Sequence, residues 1–193
     1  DFTNPQSVLR NIHTALDNQT CSVVGTTGLT AEELQEIDHK AKEKALGVFV
    51  APNFALGAVL MMKFARETAR YFPHVEIIEL HHDQKVDAPS GTSLRTVDLI
   101  SEKRPVFRQG AINEYEKVAG ARGGEINGIR VHSVRLPGFI AHQEVIFGGL
   151  GQILTLRHDS INRECFMPGV LLAVHKVGQL HGLVVGLEEL LDD

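Results

Sequence analysis

Strand-like and helix-like segments alternate through the first quarter of this 193-residue chain. A helical stretch follows Pro5, the strand-like CSVVG ends at Gly25, and a polar helix from Thr30 to about Lys44 precedes the apolar GVFVAPNF. Thr30 and, three residues later, Glu33 form a capping-box pattern that marks the start of this helix. Strands separated by helices in this way predict βα units and a parallel sheet.

The middle of the chain changes architecture. An apolar helix from Ala55 to Tyr71 leads into the strand HVEIIEL, and another helix is predicted from Ser93 to about Lys103. The polar stretch RPVFRQGAINEYEKVAGARGGEING is typical of a long surface loop, whereas GIRVHSVRL, HQEVIFGG and QILTLRHDS alternate as strands. These strands predict a mixed or antiparallel sheet, so the fold class is α/β with an α+β second lobe.

The last segments return to the first architecture. FMPGVLLAVHKVGQL predicts a helix with Pro168 in its first turn, and LVVGLEELLDD predicts a short strand and a helical tail. We expect this C-terminal part to pack back on the first lobe.

Charge and cysteine content exclude several classes of partner. The net charge of −5 provides no basic field for nucleic acid, and no apolar run approaches the length of a membrane span. The two cysteines, Cys21 and Cys165, lack the spacing of a disulfide framework or a zinc finger. These features favour a cytoplasmic protein with a small-molecule ligand.

The run ELHHDQKVDAPSGT, residues 79–92, concentrates ionisable side chains behind a predicted strand. Ligands of α/β proteins bind at the carboxyl ends of strands. A histidine near a lysine suits proton transfer at neutral pH. Pro89 should hold Ala88 extended, and the Ser-Gly-Thr turn then opens a helix whose free amides favour a carboxylate or phosphate.

Each feature of this run also has an ordinary structural explanation. Adjacent histidines point to opposite sides of a strand, a Ser-Gly-Thr turn is commonly a plain helix cap, and a single lysine is commonly a solvated charge. A metal site could use Glu79, His81, His82 and Asp83, but neighbours in a strand do not easily converge on one ion. Only the adjacency of these features favours an active site.

The same run resembles the dihydrodipicolinate reductase signature E-[LA]-H-H-x-x-K-x-D-A-P-S-G-T along its whole length. Other segments agree with that family: DFT, GTTG, APNF, GARG, RLPGFIAHQEVIFG, LTLRHDS and FMPGVLLAV. The likeness covers essentially the entire chain and is nearest to the actinobacterial branch. It implies hydride transfer from NADH or NADPH to a cyclic dicarboxylate derived from dihydrodipicolinate, which gives tetrahydrodipicolinate in lysine and diaminopimelate biosynthesis.

The resemblance also implies roles for individual residues on the substrate side. His81 would be the proton donor or acceptor, and Lys85 a further proton donor close to it. His82 would contact the substrate, while Gly91 and Thr92 would donate hydrogen bonds to a substrate carboxylate.

On the cofactor side, the resemblance implies a wall against the nicotinamide ribose. GTTG and APNF alone would be typical of routine βα turns. Residues 1–54 and 166–193 would form a partial dinucleotide-binding domain, and residues 55–165 a domain for substrate binding and oligomerisation. The residues expected in the wall are Phe2, Gly25, Thr26, Thr27, Ala51, Pro52, Asn53 and Phe54.

One family feature does not occur in this sequence. Relatives begin with a strand, a G-x-x-G-x-x-G turn and a helix that together bind the cofactor pyrophosphate. We expect an N-terminally incomplete reductase. The other hypothesis is a non-catalytic module that binds a dicarboxylate without hydride transfer.

The resemblance implies a homotetramer as well. The alternating apolar residues of VIFGGLGQILTL suit a strand surface buried between subunits. Burial against helices of the same lobe would give the same pattern.

Overall fold

A computed structural model describes residues 1–107, 109–111 and 113–191. Two short 3₁₀ helices, Arg163–Phe166 and Leu187–Leu190, flank the last helix and strand. The other elements in chain order are α1 (Pro5–Asp17), β1 (Ser22–Val24), α2 (Ala31–Glu43), β2 (Gly47–Val50), α3 (Leu56–Thr68), β3 (His74–His81), α4 (Gly91–Ser101), β4 (Gly124–Ile126), β5 (Ile129–Arg135), β6 (Ala141–Gly149), β7 (Gln152–Ser160), α5 (Met167–Val177) and β8 (Gly182–Val185).

The chain divides into two compact units. The first comprises Asp1–Val59 and the described residues from Arg163, and the second comprises Leu60–Asn162. The bounds predicted from sequence fall at 54/55 and 165/166, and the cofactor and substrate roles of the two parts stay predictions. None of the helices in the described part of the chain is long and apolar enough to span a membrane.

The first unit contains the predicted parallel sheet, in the order β1-β2-β8. Helix α1 buries Val8, Ile12 and Leu16, whose spacing of four residues forms one apolar stripe. The capping box of α2 is confirmed, because Thr30 and Glu33 exchange side-chain and backbone hydrogen bonds. Pairing of β8 with β2 confirms that the C-terminal strand returns to the first lobe.

The second unit contains the predicted mixed sheet, with strand order β4-β5-β3-β6-β7. Strand β3 is central, parallel to β5 and antiparallel to β6. Its residues Val75, Ile77 and Glu79 are buried on one face, and Gln143 of β6 lies on the same face. Helix α4 covers that face, because Ser93 of α4 donates to Gln143 across a 2.7 Å hydrogen bond.

Two predictions for this unit were wrong in detail. The predicted loop ends in a strand, since β4 pairs with β5 through the turn Asn127-Gly128, whose two φ angles are +51° and +73°. Asn-Gly is the residue pair that this two-residue hairpin turn favours, because both positions need positive φ. Positions 108 and 112 of the predicted loop lie outside the described residues.

Helix α4 also begins earlier than predicted, at Gly91 rather than Ser93. Its N-cap is Ser90, whose hydroxyl accepts a hydrogen bond from the Ser93 amide. The Ala88–Pro89 peptide bond that precedes it is cis.

Candidate active site

The end of β3 holds a three-residue polar cluster, which we call the Glu79 cluster: Glu79, His81 and Arg135. The carboxylate of Glu79 is fully buried and accepts hydrogen bonds from both terminal nitrogens of Arg135, at 2.7 and 2.9 Å. The same carboxylate is hydrogen-bonded to Nδ1 of His81. Arg135 reaches this position because the parallel register of β3 and β5 sets it beside His81. The two strands thus bring together residues 56 positions apart.

The electrostatics of the Glu79 cluster keep the carboxylate ionised. Burial opposes ionisation of Glu79, but hydrogen bonds from Arg135, Ser133 and His81 outweigh it and hold the pKa below its usual value. Burial lowers the pKa of His81, and Glu79 only partly offsets this effect. The charges of Lys85 and Arg135 lower the pKa of His81 further.

An ionised Glu79 can only accept a hydrogen bond, so Nδ1 must be the donor, and neutral His81 has Nδ1–H and a free lone pair on Nε2. Nε2 has no hydrogen-bond partner within residues 1–107, 109–111 and 113–191. The side chain is 14% exposed. His81 can therefore exchange a proton through Nε2 with a molecule bound at the end of β3.

Lys85 lies in the loop after β3 and is paired with a carboxylate. Its ammonium is 2.7 Å from Asp87, and this hydrogen bond lowers the pKa of Asp87. The backbone carbonyl of Asp87 also accepts a hydrogen bond from Arg135 at 2.7 Å. The loop with Lys85 is thereby tied to the Glu79 cluster, while His82 is exposed.

The start of α4 presents free backbone donors. The amides of Gly91 and Thr92 have no partner in the part of the chain that the structure describes. A Cβ atom on Gly91 would meet nothing within 4 Å, so the space beside it is open. These amides at a helix N-terminus suit a carboxylate or phosphate group.

A buried hydrogen-bond network joins the start of α4 to β6, the strand beside β3. Ser93 donates to Gln143, and Gln143 donates to Thr96 at 2.8 Å. Gln143 is the register partner of Glu79, so the two side chains lie on the same face. The start of α4 with its open amides and His81 therefore lie on one face, at the same end of β3.

The first unit brings together the residues expected to contact the cofactor. Gly25 to Thr27 follow β1, and Ala51 to Phe54 follow β2. Because the two strands are parallel, both turns lie at one edge of the sheet, where α/β folds bind nucleotides. The Phe2 and Phe54 rings lie side by side, with centroids 5.4 Å apart.

This edge has the form of a compact wall. A Cβ atom at Gly25 would overlap the ring of Phe2, so glycine is needed there for the ring to lie against the backbone. The hydroxyl of Thr26 donates to the Asp1 carboxylate and accepts from the Thr3 amide, both at 2.9 Å. Thr26 thus stabilises the turn that lies beside the aromatic rings.

Sequence reasoning did not assign the partners of His81. Period-two alternation in β3 could have placed Glu79 beside His81, but Glu79 was considered only as a metal ligand. No local signal could have identified Arg135, because its proximity depends on the pairing of β3 with β5. Within the described ranges, no three acidic, histidine or cysteine residues are grouped as metal ligands.

Comparison with known proteins gives matches over nearly the whole chain. Residues 1–54 match the family model "Dihydrodipicolinate reductase, N-terminus", and residues 57–191 match "Dihydrodipicolinate reductase, C-terminus". Proteins named 4-hydroxy-tetrahydrodipicolinate reductase from Desulfitobacterium hafniense and Geobacillus kaustophilus are 62% and 60% identical to it. Each alignment covers 100% of this chain and 72% of the relative.

A solved structure also matches. The dipicolinate-bound dihydrodipicolinate reductase from Paenisporosarcina sp. TG-14 superposes with a TM-score of 0.93 at 54% identity. The match covers 98% of this chain and 71% of that one. The expected similarity to the actinobacterial branch of the family stays a prediction, since these relatives do not test it.

Proposed function

Because the chain belongs to the dihydrodipicolinate reductase family, it is a reductase that uses a pyridine nucleotide, and we propose that His81 delivers the proton of its reaction. The reaction reduces a cyclic dicarboxylate derived from dihydrodipicolinate to tetrahydrodipicolinate. The observation that carries the proposal is the free Nε2 of His81, at the same end of β3 as the open amides of α4.

The substrate dicarboxylate is proposed to bind at the start of α4. The amides of Gly91 and Thr92 would donate to one carboxylate, and the open space beside Gly91 lets the anion approach the backbone. Lys85 and His82 would contact the substrate from the loop after β3. The dipicolinate in the related solved structure is an aromatic dicarboxylate of the same chemical class, which supports this proposal.

The cofactor is proposed to lie against the wall in the first unit formed by Phe2, Gly25–Thr27 and Ala51–Phe54. When bound, a pyridine nucleotide supplies the hydride. The wall residues would orient the nicotinamide and exclude water from its face. Use of NADH or NADPH is tested by titrating each against the protein.

The pH dependence should distinguish proton donation from proton acceptance at His81. As a donor, His81 must carry a proton on Nε2, and its pKa lies below the usual 6.5 because of burial. We expect kcat/KM to fall as pH rises through this pKa, because the protonated fraction declines. Initial rates between pH 5 and 8 measure the profile. A fall towards acid through the same pKa would instead make His81 the acceptor.

Replacing Lys85 with alanine is expected to raise KM for the dicarboxylate about 10- to 100-fold and to lower kcat, since charge-assisted hydrogen bonds contribute about 1.5–3 kcal/mol. The matched control is Lys42→Ala. Lys42 also pairs with a carboxylate, Asp38 at 2.6 Å, but on α2 in the first unit. Equal steady-state constants for the Lys85 variant and the unchanged protein would remove Lys85 from the substrate site.

The activity itself is tested by following pyridine nucleotide oxidation while dihydrodipicolinate is generated in place. Cofactor and dipicolinate titrations accompany the assay. The proposal is supported if the unaltered protein turns over and the His81→Gln variant does not. Dipicolinate binding without turnover or cofactor binding would favour the non-catalytic module, which the named relatives do not favour.

We also propose that β7 contributes to a tetramer interface. Leu150, Ile153 and Leu154, in and beside this edge strand, are 103%, 75% and 38% exposed, so helices of the same lobe do not bury them. Exposed apolar residues along a sheet edge favour association. Ile153→Asp should shift the protein from tetramers to smaller species in sedimentation velocity, and an unchanged distribution would contradict this interface.

A further inference from the structure

We propose that Glu79 is the positioning residue of His81, and that Arg135 holds Glu79 in place for this task. The inference rests on the proposed role of His81 and deepens it. Glu79 would fix the ring so that Nδ1 carries the proton and Nε2 is presented to the substrate.

The geometry of the Glu79 cluster supports this assignment. Glu79 and His81 lie two residues apart on β3, so their side chains project from the same face. The carboxylate of Glu79 is fully buried, which leaves it no water to bind, and its oxygens are taken up by Arg135 and His81. A hydrogen bond at one ring nitrogen of a histidine determines the tautomer and orientation at the other.

The charged groups around His81 come from three elements. Glu79 lies on its own strand, Arg135 on β5, and Lys85 with its partner Asp87 on the following loop. On β6 the register partner of Glu79 is Gln143, which is uncharged. Among these groups, Glu79 raises the pKa of His81 through its hydrogen bond and its charge. The positive charges of Lys85 and Arg135 lower that pKa.

The same strand offers a matched control on its opposite face. Glu76 contacts Arg122 and, at 2.8 Å, His132, so it forms a second carboxylate, arginine and histidine cluster. Glu76 and Glu79 are three residues apart and therefore project from opposite faces of β3. Glu76→Gln removes the same chemistry from the same strand without changing the surroundings of His81.

The first test is the tautomer of His81 in the unaltered protein, read from the ¹⁵N shifts of labelled histidine and assigned with His81→Gln. We expect neutral His81 to carry its proton on Nδ1. Observation of the Nε2–H tautomer in the unaltered protein would overturn the proposal. This measurement does not depend on turnover, so its outcome is separate from that of the proposed function.

The second test compares Glu79→Gln with Glu76→Gln. In Glu79→Gln the titration midpoint of His81 should fall by about one pH unit, because a neighbouring opposite charge is lost. The kcat of Glu79→Gln at pH 7 should fall about 10- to 100-fold, the range seen when other histidines lose an orienting partner. The KM of this variant should change much less. Arg135→Lys should lower kcat less than Glu79→Gln does, because lysine retains a positive charge beside Glu79. A Glu79→Gln midpoint equal to that of the unaltered protein, or an equal shift in Glu76→Gln, would overturn the proposal.

Discussion

Replacing His81 with glutamine should lower kcat by about 10²- to 10⁴-fold, the range that general acid catalysis by a positioned side chain contributes. Glutamine has a similar size and retains hydrogen-bonding groups, but it cannot exchange a proton near neutral pH. Binding of the pyridine nucleotide and of dipicolinate should change much less than turnover. Steady-state kinetics beside titrations of both ligands measure the difference.

The control for this prediction is His132→Gln. His132 is also hydrogen-bonded to a glutamate of β3, but on the opposite face. We expect this variant to retain the kcat of the unaltered protein. A normal kcat in His81→Gln would refute the proton-transfer role, whereas equal losses in both variants would indicate a general effect of histidine removal on the sheet.

Replacing Arg135 with methionine should lower the free energy of unfolding by about 3–5 kcal/mol, because it leaves a buried carboxylate without its countercharge. Glu79 is fully buried, and Arg135 supplies two of its hydrogen bonds. Urea denaturation at pH 7 measures the loss. The double variant with Glu79→Leu should recover much of it, because no buried charge then remains unpaired.

Arg122→Met is the matched control for this stability prediction. Arg122 pairs with Glu76 on the opposite face of β3, where the two side chains are 36% and 31% exposed. Water can replace a partly exposed ion pair, so we expect a loss of about 1 kcal/mol or less. Equal losses in the two arginine variants would contradict the argument from burial.

The sign of the pH dependence follows from the lowered pKa of Glu79. A carboxyl group with a lower pKa in the folded state stabilises the fold above its unfolded value, here about 4.5. This contribution is lost as pH falls through the folded-state pKa. The Arg135→Met variant should therefore lose less stability on acidification than the unaltered protein.

Most elements could be predicted from local patterns, because their causes lie within a few residues. The capping box of Thr30 and Glu33 and the position of Pro168 marked helix starts, and apolar alternation marked the strands of the mixed sheet. The errors were also local in origin. The Asn127-Gly128 turn was taken for loop, and the start of α4 was placed two residues late.

The sequence alone identified the family to which the chain belongs, and it predicted the segment that we propose carries the chemistry. Residues 79–92 place histidine, lysine and a helix start within one short stretch, so their proximity needs no tertiary contact. The order of strands and helices likewise follows from periodicity, since each element must bury an apolar face.

Only the tertiary structure decided how the side chains are paired. Arg135 lies 56 residues from Glu79 in sequence, and only the parallel register of β3 and β5 brings it to the buried carboxylate. The tertiary structure also buries Glu79 and leaves Glu76 partly exposed. Both are glutamates of one strand, and each has an arginine and a histidine as partners. The physical reason is that burial and ion pairing depend on which elements cover a face, and residues far apart in the chain determine that covering.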